Sequence, residues 1–196
     1  MDCLETELYA QRYAHENGLT YISPYNDPQV IGGQGTIGLE LERQAEKIDA
    51  VFVSVGGGGL ISGIAGYLKQ ALPNDVNVIG CLPENSPEMA LAVKAGHHVQ
   101  MESKPTFSDG TAGGFEPGAI TFELCQQLVD EYVLVSEAEI AAALHLMLET
   151  QHQLIEGSAG VAIAGFQKLH SQCKGQNVVI VLCGANISLS TLKQIL

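Results

Sequence analysis

Short runs of apolar, β-branched residues alternate along this chain with longer segments whose apolar positions recur every three or four residues. The first kind predicts buried strands and the second predicts helices packed on them. Strands are expected at residues 20–23, 51–55, 76–81, 96–102, 132–135 and 178–183. Helices are expected at 3–17, 60–72, 87–95, 120–129 and 157–169, with a short one after Asn186. Asp27 before Pro28 reads as an N-cap with proline at the first helical position, opening a helix to about Glu46 that Gly32-Gly33 interrupts. Ser136-Glu137-Ala138-Glu139 reads as a capping box ahead of a helix to about Leu154. Regular alternation of this kind predicts an α/β fold: an open, mainly parallel twisted sheet with helices on both faces.

The strand at 51–55 breaks into four consecutive glycines, Gly56, Gly57, Gly58 and Gly59, and Leu60 then begins a helix. Glycine loses more backbone entropy on ordering than any other residue, so such a run needs a reason. One reason is close approach of a ligand to the main chain. At a strand-to-helix junction the first-turn amides and the positive end of the helix dipole face outward and together cradle a phosphate. The other reason is a tight turn that only packs helix on strand.

Composition narrows the partners. Nine Lys and Arg stand against 22 Asp and Glu in 196 residues, a net charge of −13. Nucleic acid requires a basic footprint, so no nucleic-acid partner is expected, and anion binding falls to backbone amides. No apolar run approaches a membrane span, and the acidic start Met1-Asp2-Cys3-Leu4-Glu5 is unlike a signal peptide. Five scattered cysteines without a Cys-x-x-Cys pair suit a reducing cytoplasm.

Two further positions stand out. The strand at 178–183 delivers Cys183-Gly184-Ala185-Asn186 at its carboxyl end, where open α/β sheets bind ligands. Cys183 is therefore either a site residue or a small buried hydrophobe. Glu156 precedes the small residues Gly157-Ser158-Ala159-Gly160, and by itself reads as ordinary complementation of a helix dipole. No Cys or His spacing matches a metal site; His145 and His152 lie seven apart on one expected helix.

Taken in order, five segments carry a resemblance: 24–36 (Pro-Tyr-Asn-Asp-Pro-Gln-Val-Ile-Gly-Gly-Gln-Gly-Thr), 54–60, Asp109-Gly110-Thr111-Ala112, 156–160 and 183–186. They resemble the carboxyl-terminal part of the fold type II pyridoxal-phosphate enzymes, the tryptophan synthase β superfamily, and within it the serine/threonine dehydratase and serine racemase branch. The resemblance implies pyridoxal 5′-phosphate as cofactor, with its phosphate on Gly56, Gly57, Gly58, Gly59 and Leu60. It implies that Cys183 meets the pyridine nitrogen and that Gly110 and Glu156 line the cofactor. It implies β-elimination from a small hydroxyamino acid, L-threonine or L-serine, to a 2-oxo acid and ammonia, by a protein that is a homo-oligomer when full length.

The same resemblance assigns residues 1–24 to the tail of a small substrate domain and 25–196 to the carboxyl-terminal part of an incomplete large domain. The family's Schiff-base lysine motif and its substrate-carboxylate loop do not occur, and none of Lys47, Lys69, Lys94, Lys104, Lys168, Lys174 and Lys193 lies in such a context. No catalytic residue is therefore expected in this chain, which should be inactive alone. A truncated protein, one chain of a split enzyme and a decayed binding relative would each account for that, with truncation favoured. The slot of a metal-binding glutamate in racemase-like members is Leu82, so no metal is expected, and Glu84 and Glu88 read as a solvated helix start. Three alternatives remain: a serine racemase, a dinucleotide-binding module built on Gly57-x-Gly59, Gly63 and Glu84, or a non-catalytic partner that assembles with a separate amino-terminal chain.

Overall fold

β1 (Ala50–Ser54) is buried at every position, as a central strand of a parallel sheet covered on both faces must be. The computed structural model describes residues 3–72 and 76–196; the acidic start at Met1-Asp2 lies outside them. Around β1 the sheet runs β3-β2-β1-β4, with β2 at Asn77–Pro83, β3 at Glu131–Val135 and β4 at Val178–Ile180. Every pairing is parallel, and the register sets Phe52 beside Ile79 on one side and Ile180 on the other.

Side chains alternate between two cores with the period of two that a strand imposes. Val51, Val53, Val78 and Leu82 face one core together with Ile61, Ile64 and Leu68 of α3 (Gly59–Ala71). Phe52, Ile79, Cys81, Val133 and Val135 face the other, against α6 (Glu137–Leu146) and α7 (Gly157–Leu169). Each fully buried Val, Ile, Leu or Phe contributes roughly 1.5–3 kcal/mol. The remaining helices are α1 (Cys3–Glu16), α2 (Pro28–Gln44), α4 (Glu88–Ala95), α5 (Ile120–Leu128) and α8 (Leu189–Ile195).

Local chemistry explains the starts of helices. Asp27 caps α2 by accepting from the amides of Gln29 at 2.7 Å and Val30 at 3.1 Å, with Pro28 in the first turn. Ser136 and Glu139 close the capping box of α6. Five expectations fail. Gly32-Gly33 do not interrupt α2, because α2 lies close along α3: a β-carbon at Gly63 would strike the Ile31 carbonyl oxygen. Residues 20–23 and 96–102 carry a strand-like pattern but pair with no strand of the sheet, and His98 instead bonds the Phe115 carbonyl at 3.0 Å. α6 ends at Leu146, where a π-turn (Met147–Gln151) runs into His152 at φ 55. Strand β4 stops at Ile180, short of the expected Cys183.

Glu84 and Glu88 part company. Glu84 is solvated, whereas Glu88 is 3% exposed and accepts from the Ser86 hydroxyl at 2.8 Å and from the Ser103 hydroxyl. The Ser86 hydroxyl oxygen in turn accepts from the Gly113 amide at 3.0 Å, so this buried acid anchors the loop before α5.

Cys81 and Cys125 are buried thiols, and burial lifts the Cys125 pKa from 9.0 to about 11 and that of Cys81 further. Unfolding returns both to water, so above 9.0 the unfolded chain sheds protons that the native chain keeps. Stability from this source is complete below pH 9.0 and declines as pH rises toward about 11. Urea midpoints measured across that range should fall, and Cys125→Ala should flatten the decline; an unchanged slope in the variant would refute the assignment.

Candidate functional site

The carboxyl ends of β1 and β4 and the amino end of α7 open on one cavity of about 330 Å3. Ser54 and Gly56 to Leu60 line one wall, Asp109 to Gly114 a second, and Glu156, Ser158 and Cys183 the floor. Cys3, Glu7, Pro24 and Tyr25 border it as well. All eight residues singled out from the sequence therefore share one cavity: Gly56, Gly57, Gly58, Gly59, Leu60, Gly110, Glu156 and Cys183.

The glycine turn is held by its neighbours on several sides. Gly58 adopts φ 87 and stands at the N-cap of α3, where no side chain caps the helix. Its first-turn amides are thus left to the cavity wall. The Tyr25 ring lies against the turn, so that a β-carbon on Gly57 would fall inside the ring and one on Gly59 would sit 2.9 Å from the Tyr25 backbone. A β-carbon on Gly56 would reach the Thr111 backbone at 3.1 Å, and one on Gly58 the Cys125 sulfur at 3.0 Å. Packing therefore accounts for part of the run, though it is packing against Tyr25, Thr111 and Cys125 and not of helix on strand. The cavity takes the side that packing leaves open.

Tyr25 is fixed through its hydroxyl, which donates to Glu7 at 3.0 Å and accepts from the Glu116 amide at 2.8 Å. Burial raises its pKa, so it stays a neutral donor. Ser23 and Asn26 donate to the two oxygens of the Glu116 carboxylate at 2.9 and 3.2 Å. The segment 23–26 is thereby locked beneath the glycine turn.

At the other end Cys183 faces the cavity and sits 3.3 Å from the Ser54 hydroxyl. The surrounding walls strip water from the thiol and raise its pKa; the Glu156 carboxylate adds to the rise and the Ser54 hydroxyl opposes it. A neutral thiol and a neutral hydroxyl thus form this end. Cys183 is not the buried hydrophobe that its apolar strand allowed. Glu156 does not cap its own helix; it turns to accept from the Asn186 amide at 2.9 Å, filling the space beside Gly184. Asp109 likewise accepts from the Gly110 amide at 2.9 Å.

No lysine, arginine or histidine is among the described residues lining the cavity. Among the described residues no group of His, Cys, Asp and Glu is arranged to hold a metal. Sequence reasoning did not single out Ser54, Tyr25 or Ser158 as site residues. Ser54 did carry a signal, as a hydroxyl ending a wholly apolar strand. The dinucleotide reading loses its third glycine, because Gly63 serves the α2–α3 contact.

These features are those of an anion site without lining side-chain cations, built on a glycine turn, with a thiol–hydroxyl pair beside the Glu156 carboxylate at its far end, and they fit a phosphate-bearing pyridine. The sequence matches the family described as pyridoxal-phosphate dependent enzyme over residues 2–184. The chain belongs to this family. Members of this pyridoxal-phosphate dependent family similar to the chain include threonine dehydratase 2 of Solanum lycopersicum, 41% identical over 97% of this chain and 32% of that protein. The L-threonine ammonia-lyase of Thermotoga maritima is 42% identical over 95% of this chain and 46% of its own length. Among solved structures, the processed threonine deaminase isoform 2 of Solanum lycopersicum superposes with TM-score 0.87 at 40% identity, over 94% of this chain and 54% of that one. Serine racemase from Dictyostelium discoideum gives 0.81 at 31% identity, over 93% and 59%. The chain thus spans about a third to a half of these curated relatives and a little over half of the solved chains.

Gly157 opens α7 directly against the Phe107 carbonyl oxygen, where a β-carbon cannot fit. Gly157→Ala should therefore cost about 3 kcal/mol or more and disorder the cavity floor. Gly118→Ala, where no atom lies within 4 Å, should cost only the left-handed strain of about 1–2 kcal/mol. Equal losses for the two variants in chemical denaturation would refute the close-approach argument.

Proposed function

We propose that this chain is the cofactor-holding portion of a hydroxyamino-acid ammonia-lyase. The whole protein would convert L-threonine or L-serine to a 2-oxo acid and ammonia. The observation that carries the reading is the meeting of all five sequence segments at one cavity whose two ends differ in kind. In this reading Gly56 to Leu60 hold the cofactor's phosphate through main-chain amides, and Cys183, paired with Ser54, faces the ring nitrogen. Gly110 gives close access from the side, and Glu156 fixes the loop that carries Cys183.

When bound, pyridoxal phosphate supplies an electron sink for the pair left as an amino acid loses its α-proton. A neutral thiol cannot balance a protonated ring nitrogen as a carboxylate would. A site floored by Cys183 therefore suits a reaction whose leaving group carries the electron pair off at once, such as loss of a β-hydroxyl. That favours ammonia-lyase over racemase chemistry, although serine racemases share the fold.

Among the described residues no lysine lines the cavity, and the chain alone should be inactive until one is supplied. α1 buries only Ala14 among its residues, which supports assigning residues 1–24 to a different structural unit from 25–196. The cysteines are free thiols, which supports a reducing, cytoplasmic setting, and no helix among the described residues is long and apolar enough to cross a membrane. A homo-oligomer is proposed for the full protein.

Titrating the chain with pyridoxal phosphate, followed by cofactor fluorescence, should show one saturable site that inorganic phosphate competes for. Pyridoxal without the phosphate should bind about tenfold or more weakly, since charge-assisted bonds to the glycine turn are lost. Borohydride should fix no phosphate-competed adduct, and no ammonia should appear with serine or threonine. Equal binding of pyridoxal, or a preference for NAD, would overturn the reading.

A further inference from the structure

Behind the second wall of the cavity lies a cluster of polar groups that the proposed chemistry does not use. β2 ends at Pro83, and a short turn leads from it into α4. There Ser86 is 1% exposed and Glu88 hardly more, and neither borders the cavity. A buried carboxylate costs free energy that an apolar side chain on the inner face of α4 would not. Its presence needs a reason.

Hydrogen-bond direction supplies one. A carboxylate accepts and does not donate. One oxygen of Glu88 takes the Ser86 proton at 2.8 Å, and the other takes the Ser103 proton. With its own proton committed, the Ser86 oxygen can only accept, and the Gly113 amide donates to it at 3.0 Å. The same turn grips the chain beside Ser103. The Lys104 amide donates to the Asn85 carbonyl at 2.9 Å, and the Asn85 side chain donates to the Pro105 carbonyl at 2.7 Å. Residues 103–105 and Gly113 are thus fastened to one turn.

Between the two fastenings runs most of the segment that forms the second wall, Asp109 to Gly114. Its exit has the most freedom to lose, because Gly113 adopts φ 109 and Gly114 follows it. The wall also meets the glycine turn, since a β-carbon on Gly56 would lie 3.1 Å from the Thr111 backbone. Holding Gly113 therefore holds the wall at its distance from the turn.

The structure assigns Ser86, directed by Glu88, the role of a positioning residue for the cofactor. It acts through Gly113 and touches no ligand itself. The assignment rests on the reading that the cavity takes pyridoxal phosphate, with the phosphate on the turn and the ring beside the wall. A wall left loose until binding would have to be ordered at the expense of affinity. Only a ligand with a ring meets that wall. Ser86 therefore strengthens binding of pyridoxal phosphate and leaves inorganic phosphate, which occupies the turn alone, unaffected.

Calorimetric titrations of the chain with each of the two ligands test this. Ser86→Ala should weaken pyridoxal phosphate about fivefold to a hundredfold, the effect of one buried amide left without its acceptor, and inorganic phosphate by less than about twofold. Ser103→Ala, at a partly exposed position, loosens the other end of the wall and should act in the same direction by about twofold to tenfold. Thermal melts show whether Ser86→Ala folds; if it does not, Ser103→Ala decides alone. Hydrogen exchange at the Gly113 amide should quicken in Ser86→Ala before any ligand is added. If the unaltered chain takes up no pyridoxal phosphate, the reading of the cavity falls and this role with it. If the unaltered chain binds it and the variants bind it as tightly, only the role of Ser86 falls. Equal weakening of both ligands, or unchanged exchange at Gly113, would overturn that role as well.

Discussion

The approach of the Tyr25 ring to the turn after β1 is the contact on which the rest of the site depends. It demands glycine at positions 57 and 59, and it holds the main chain there in one conformation. Thr111 and Cys125 press from other directions, and the four glycines line the cavity. A phosphate cradle of amides works only if the amides are already aimed, because ordering a free glycine run at the moment of binding would cost about 1–2 kcal/mol per residue. Packing by Tyr25 meets that cost during folding.

Among the described residues no side-chain cation lines the cavity beside the turn. The acids that border the cavity are engaged elsewhere: Glu7 with Tyr25, Asp109 with the Gly110 amide, and Glu156 with the Asn186 amide. Each carboxylate is thereby held by a donor and acts as scaffold. The Glu88–Ser86–Gly113 chain extends the same logic behind the wall, where a buried acid fixes a loop.

Much of this was legible in the residues. The strand core, the Asp27 and Ser136 caps and α7 follow from local pattern and capping chemistry, which act within a few residues. The glycine turn drew notice because glycines mark close approach, and Cys183 because it follows an apolar strand, whereas Gly110 and Glu156 were named only through the family resemblance. What the pattern could not show was pairing. Residues 20–23 and 96–102 have strand-like sequences, but a strand exists only beside another. Gly32-Gly33 looked like a break, but contact with α3 overrides helix propensity. Tyr25 and Ser54 were hidden for the same reason, since their partners lie far along the chain at Glu116 and Cys183.

The glycine run, then, is weaker evidence of a ligand than it looks, because Tyr25 and its neighbours would require glycines there even in a protein that had lost its cofactor. Gly157 and Gly63 are in the same position, explained by Phe107 and Ile31. Cys183 is different. No packing need places an exposed thiol on the floor of a cavity, 3.3 Å from a serine hydroxyl that itself ends a buried strand. A chain drifting without function would gain stability by filling that space with a larger apolar side chain. The discriminating support for the cofactor reading therefore comes from the thiol–hydroxyl end, and the glycine turn adds to it chiefly by being held open toward the same cavity.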